Sequence, residues 1–144
     1  MAGYSKRPLA EKLGIKEGWK IALINVPAGY GATLGKLPRK TTVTHRLQGS
    51  MQFIQFFARR RAEIEREFAS LKRALVPNGV LWISWPKGSS GAETDLNENV
   101  IREISLTHGL VDVKVCAVDD TWSGLKLVYR SKDRESLDST DGRR

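Results

Sequence analysis

From Met51 onward the sequence alternates between runs that suit a strand and runs that suit a helix, and that order decides most of what the chain can become. Met51 to Ala58 (MQFIQFFA) is an apolar run of strand length. Ile64, Phe68, Leu71 and Leu75 then recur at steps of four, three and four, which places them on one helical face. Pro77-Asn78-Gly79 breaks that pattern, and Val80 to Trp85 (VLWISW) is a second apolar strand closed by Pro86. Thr94 or Asp95 can cap a second helix striped by Leu96, Val100 and Ile104 and ended by Gly109. Leu110 to Val118 follows, with Val111, Val113, Val115 and Ala117 alternating onto one predicted face. Strand, helix, strand, helix, strand requires right-handed crossovers between strands that run the same way. The first helix, over 62–75, would be about 21 Å long, the length of a six-residue strand, as a crossover helix needs. The last link differs. Asp119 to Gly124 is short and turn-like, so Leu125 to Arg130 should return antiparallel at or near an edge. The expected class is α/β, with a mostly parallel sheet and an antiparallel C-terminal edge strand.

Upstream, Ser5 can cap a short helix that has Pro8 in its first turn, Leu9 and Leu13 on one face and Gly14 at its end. Trp19 to Val26 reads as a buried strand stopped by Pro27. Ala28 to Pro38 is glycine-rich, and Thr41 to Leu47 has the β-branched character of a strand. Gln48-Gly49-Ser50 spans only about 13 Å, while returning along a seven-residue strand takes over about 20 Å. Full, adjacent strands on either side of that link cannot be parallel. Thr41–Leu47 is therefore expected to pair antiparallel or to be an irregular connection. The organisation expected for the 144 residues is one domain over 1–130 and a disordered tail over 131–144, where Leu137 is the one apolar side chain.

Composition narrows the function. No apolar run approaches the roughly 20 residues of a membrane span, and the first residues lack the apolar core of a secretory signal. One cysteine, Cys116, allows neither an internal disulfide nor a cysteine zinc cluster. A cytoplasmic protein without a metal is the expectation. Charge is more telling. The formal net charge is +8, yet residues 1–61 hold 12 Lys/Arg against Glu11 and Glu17, while residues 62–144 hold 12 basic and 14 acidic side chains. An N-terminal half at +10 invites an anionic partner such as nucleic acid, a phosphorylated ligand or an acidic protein. A merely solvated basic surface is the plain alternative, since Arg59-Arg60-Arg61 is the sole run.

Two stretches carry a resemblance. LGIKEGWKIALINVP and FASLKRALVPNGVLWISWPK resemble the entry to the first strand and a later helix-to-strand passage of Rossmann-like, S-adenosylmethionine-dependent methyltransferases. The closing parallel strand, turn and antiparallel strand also resemble that fold's C-terminal half. YSKRPLAEKLGIK, WISWPK and DVKVCAVDDTWSGLKLVYR together resemble a bacterial domain family of unknown function, which implies the same fold and no activity. The methyltransferase resemblance implies a cofactor loop after the first strand, often an acidic residue followed by GxGxG, and a ribose-binding carboxylate after the second. Here Gly29, Gly31 and Gly35 occur without that acid, and no acidic residue lies from Ala32 to Met51. S-adenosylmethionine is thus a possible cofactor that the usual motif does not support.

Ligands of open parallel sheets bind beyond the carboxyl ends of the strands. On the predicted order that edge gathers Asn25 and Tyr30, Arg59 and Arg60, Trp85 and Lys87, then Asp119, Asp120 and Trp122. The glycine run from Gly29 and the Lys87-Gly88-Ser89-Ser90-Gly91 loop offer backbone amides to a phosphate, or are plain connections. Asp120 is expected to serve the turn's own backbone; Asp119 is left open as acid, base or structure. Trp82 and Trp85 should face opposite sides, Trp82 in the core and Trp85 on the cleft wall. Cys116, in mid-strand, should be a buried thiol, and His45 and His108 have no sequence-near catalytic partner. The reading favoured by these departures is a non-catalytic or ligand-sensing module that takes a small anionic or nucleotide-like ligand. The rivals are an active methyltransferase with a rewired site and a nucleic-acid-binding protein using its basic N-terminal half. No oligomeric state follows from the sequence.

Overall fold

The computed structural model describes residues 7–134. Its elements in order are α1 (Leu9–Lys12), β1 (Lys20–Ile24), α2 (Tyr30–Leu34), β2 (Thr42–Thr44), β3 (Met51–Phe57) and α3 (Arg61–Ala74). They are followed by β4 (Leu75–Pro86), a 3-10 turn (Gly88–Ser90), α4 (Glu98–Thr107), β5 (Leu110–Ala117) and β6 (Trp122–Tyr129). The six strands form one sheet in the order β2-β1-β3-β4-β6-β5. β2, β1, β3 and β4 run parallel to one another, and β6 is antiparallel to both β4 and β5. Helices cover both faces. Ile64, Phe68 and Leu71 of α3 and Ile101 and Ile104 of α4 pack with Ile54, Ile83 and Leu125 on one side. Leu9 of α1 and Leu13 at its end, with Tyr30 and Leu34 of α2, pack with Ile21, Phe53 and Trp82 on the other. Among the described residues no helix is long and apolar enough to cross a membrane.

The apolar stripe of α3 lies where its spacing put it, with Ile64, Phe68 and Leu71 buried. Its amino end is held by two carboxylates. Glu63 Oε1 accepts the backbone N–H of Arg59 (2.8 Å) and of Arg60 (2.9 Å), and Asp95 Oδ1 accepts that of Arg61 (2.8 Å). Asp95 therefore caps α3 rather than α4; the cap of α4 is Asn97, which accepts from Val100 N at 2.9 Å. Pro77-Asn78-Gly79 does not separate helix from strand. β4 starts at Leu75, and the three residues lie in an irregularity where Leu75 to Val80 stands opposite Met51 to Phe53.

Several expectations are corrected. Thr41–Leu47 does not pair antiparallel: Thr42–Thr44 pairs parallel with β1 on the side away from β3, and the residues flanking those three are irregular. The constraint on adjacent strands does not apply, because the six residues 45–50 can reach about 20 Å past β1. His45 Nδ1 lies 3.1 Å from Leu23 O along that return. The antiparallel C-terminal strand β6 is present, with β5 outside it completing the edge pair. The valine stripe of β5 is split by a register shift between Asp112 and Lys114. Val111 pairs with Val128 and Val115 with Leu125, partners three residues apart and so on opposite faces. Val113 and Val115 remain exposed. At the N-terminus Pro8 is the N-cap of α1; Ser5, the expected cap, lies outside the described residues. Residues 131–134 form a helical turn closed by Arg134 N–H to Arg130 O at 2.9 Å. The remainder of the expected tail also lies outside the described residues.

Candidate functional site

Three strand ends meet at the carboxyl edge of the sheet. β1 runs out at Ile24 into Asn25, whose φ of 58° is left-handed, a conformation asparagine tolerates better than most residues. β3 runs out at Phe57 into Ala58 and Arg59, with Ala58 N–H held by Ser84 O at 3.0 Å. β6 begins at this edge with Trp122, opposite Pro86 at the end of β4. Between them lies a cleft of about 300 Å3 walled by Asn25, Pro27, Phe57, Arg59, Glu63 and Trp122.

The aromatic groups support the cleft from beneath. Trp122 meets Phe57 edge-on, with centroids 5.1 Å apart, and Phe57 meets Tyr30 in the same manner at 4.8 Å. The Arg59 guanidinium carbon sits 5.1 Å from the Trp122 centroid. That is a cation–π contact worth about 0.5–1 kcal/mol when exposed. Among the described residues the Arg59 guanidinium has no ion pair. The acid on the wall, Glu63, is engaged with the Arg59 and Arg60 amides. The Arg59 guanidinium, without an ion-pair partner among the described residues, thus offers the cleft a fork of N–H donors, the geometry suited to a carboxylate or phosphate.

Of the residues expected at this edge, Asn25, Arg59 and Trp122 come together. The others go elsewhere. Tyr30 is buried beneath the cleft, with its hydroxyl bonded to Gln55, because α2 lays it against the sheet. Trp85 is 6% exposed and packs on the α3/α4 face, so it is core rather than cleft wall. Trp82 does face the opposite side and is fully buried. Arg60 turns outward to Glu93 at 2.8 Å, contacts that raise its already high pKa. Lys87 donates its backbone N–H to Thr121 O at 2.8 Å and stands outside the cleft lining. Asp119 Oδ1 accepts the N–H groups of Thr121 and Trp122, both at 2.8 Å. It is the turn's Asx residue, the part expected of Asp120, and it fixes the start of β6. Asp119 and Asp120 instead line a separate groove of about 230 Å3 with Arg7 and Lys12. Glu63 escaped notice as a wall residue, although a Glu three residues past a helix start signals a capping carboxylate. Among the described residues no group of three His, Cys, Asp or Glu could hold a metal ion.

A search of solved structures finds this architecture repeatedly. An S-adenosylmethionine-dependent methyltransferase from Aquifex aeolicus matches with a TM-score of 0.60 over 81% of this chain and 85% of its own, at 15% identity. DhpI, solved in complex with SAH, matches at 0.57 over 85% and 83%, at 13% identity. An S-adenosylmethionine-dependent methyltransferase from Clostridium acetobutylicum matches at 0.51 over 82% and 85%, at 7% identity. This is the methyltransferase-like Rossmann fold. No protein-family model matches the chain, and no curated protein is significantly similar to it in sequence. The resemblance to the bacterial domain family thus rests on its motifs alone.

Within the methyltransferase-like fold, the residues for S-adenosylmethionine do not fit the family pattern. β2 holds the second-strand position beside β1, but the chain leaves it through His45 and Arg46, not through a carboxylate. The glycine-bearing loop enters a helix of five residues, Tyr30–Leu34, whose amino end is the left-handed Gly29.

Proposed function

We propose that the chain is a cytoplasmic, methyltransferase-fold module that senses a small anionic or nucleotide-like ligand in the carboxyl-edge cleft and does not transfer methyl groups. The observation that carries this reading is the Arg59 guanidinium, held over Trp122 at 5.1 Å without an ion pair among the described residues. A guanidinium fixed on an aromatic face is pre-organised, so little side-chain freedom is lost when an anion docks. The charge at the neighbouring strand end agrees. In dinucleotide-binding Rossmann domains a carboxylate after the second strand holds ribose hydroxyls, whereas an arginine accommodates an added phosphate. Arg46 is on the phosphate-accepting side of that distinction. In the proposed complex Arg59 makes paired N–H bonds to the anion, the Asn25 amide lies across the cleft, and Phe57 and Trp122 exclude water below.

Calorimetric titration separates this reading from an active enzyme. Adenosine monophosphate, adenosine triphosphate, pyrophosphate and S-adenosylmethionine are titrated into the wild type and into Arg59→Ala. At least one phosphate-bearing probe should bind, and its affinity should fall by tenfold or more in the variant, the roughly 1.4 kcal/mol or more of a lost charge-assisted hydrogen bond. Saturable micromolar binding of S-adenosylmethionine would overturn the proposal, as would silence from every anion.

A further inference from the structure

Away from the cleft, on the α1 face of the β5–β6 ribbon, the fold concentrates lysines that local energetics does not favour. Lys114 and Lys126 are direct cross-strand partners, and like charges directly opposite are destabilising. Lys126 is also in register with Trp82, whose indole N–H donates to Leu13 O at 3.0 Å. The chain leaving α1 therefore passes over this spot and brings Lys16 in three residues later. Lys12 reaches the same ribbon, its Nζ 3.4 Å from Ala117 O. Gly18 N–H donates to Arg39 O at 3.0 Å, which brings residue 39 beside the end of that segment. Among the described residues Lys16, Lys114 and Lys126 have no ion pair. The nearby Asp112 is committed to Arg102 at 3.0 Å. Lys126, partly buried, has its pKa lowered by burial, then by Lys114 and Lys16.

The geometry points to this row, centred on Lys16, Lys114 and Lys126, as a docking surface for the phosphate backbone of a nucleic acid. The lysines lie along the β5–β6 ribbon and the chain leaving α1, a line of separated positive charges that suits a linear polyanion better than the plane of a lipid headgroup layer. A chain of net charge +8 draws such a partner from a distance. Lysines act as point charges, and all four tryptophans are buried or half-buried, so none of them stands open as a stacking platform for bases. Binding is electrostatic and indifferent to base sequence.

The test is fluorescence anisotropy with a labelled duplex and a labelled single strand of mixed sequence, across a salt series. Lys114→Gln/Lys126→Gln is compared with Arg66→Gln/Arg73→Gln, which removes the same charge from α3 on the other face of the sheet. Wild type should bind the duplex at about 50 mM salt, and the lysine variant should lower the log–log salt slope by about 1.8, or 0.9 for each phosphate no longer neutralised. The α3 variant should keep the wild-type slope. Removing a repulsive pair should leave the melting temperature of the lysine variant at or above that of wild type. Absence of saturable binding, equal losses in the two variants, or binding to anionic phospholipid vesicles in place of both oligonucleotides would each overturn the assignment.

Discussion

Tyr30 Oη donates a 2.6 Å hydrogen bond to Gln55 Oε1 in the middle of the sheet, and Gln55 Nε2 donates onward to Ser84 Oγ at 3.1 Å. Gln55 and Ser84 are fully buried and Tyr30 nearly so. The chain of bonds ties α2, and with it the loop after β1, to β3 and β4. Tyr30→Phe keeps the ring against Phe57 but leaves the Gln55 carbonyl without its donor. The expected cost is about 1–3 kcal/mol, read as a lower urea midpoint. Burial, the largest cause, holds the Tyr30 hydroxyl well above its ordinary value of 10.0. The folded state thus keeps a proton the unfolded state gives up. Its contribution to stability is full below about pH 10 and is lost as pH rises from there toward the folded-state value. Ultraviolet titration should show the Tyr30 phenolate emerging together with unfolding, and Tyr30→Phe should flatten that alkaline limb.

Gly124 sits beneath Trp82. A Cβ at Gly124 would lie 3.0 Å from Trp82 Cε3 and 3.4 Å from Val118 Cγ2. The indole cannot easily yield, because it is fully buried and its N–H is anchored on Leu13 O. Gly124→Ala should therefore destabilise by about 1–3 kcal/mol through overpacking. Chemical denaturation followed by tryptophan fluorescence measures it, and an unchanged midpoint would contradict the packing described.

The carboxylate of Asp95 closes the amino end of α3 from outside the helix, through its 2.8 Å bond to Arg61 N–H. Asp95→Ala should cost about 0.5–2 kcal/mol, while Asp95→Asn keeps the acceptor and should recover most of it. Thermal melts of the two variants give the comparison.

Long, periodic elements were legible in the sequence. The Ile64, Phe68 and Leu71 stripe and the apolar runs at Met51 and Val80 point to β3-α3-β4, in which they are buried together. What stayed hidden depended on contacts between distant segments. β2 has three residues, too few for a period, and its partner is chosen by β1 rather than by its own pattern. The alternation of β5 gave no sign of its bulge, since a period of two cannot reveal an inserted residue. At the cleft, the strand ends point to Asn25, Arg59 and Trp122, which share one lining. Tyr30 and Trp85 stand at the same edge in sequence, but the face each takes and the helix covering it are settled by packing. Asp119 and Asp120 were distinguishable only once the turn showed which carboxylate met the Thr121 and Trp122 amides.

Lys126 supplies the opposite pH dependence to Tyr30. Its pKa is lowered by burial first and by Lys114 and Lys16 after it. The folded state therefore disfavours the charged amine, and below 10.5, the ordinary lysine value, the unfolded state binds more protons. Stability should rise with pH as the amine titrates, in the window under that value. Lys126→Gln removes the charge outright, and with it the repulsion across the Lys114 pair. At neutral pH the variant should gain up to about 1 kcal/mol, the scale of a cross-strand pair effect. The gain should shrink as pH approaches that of lysine ionisation, because the wild type then sheds the same charge. Urea midpoints of the two proteins at neutral and alkaline pH test this directly. A variant less stable than wild type at neutral pH would mean that the ammonium of Lys126 contributes an attraction stronger than its repulsion by Lys114.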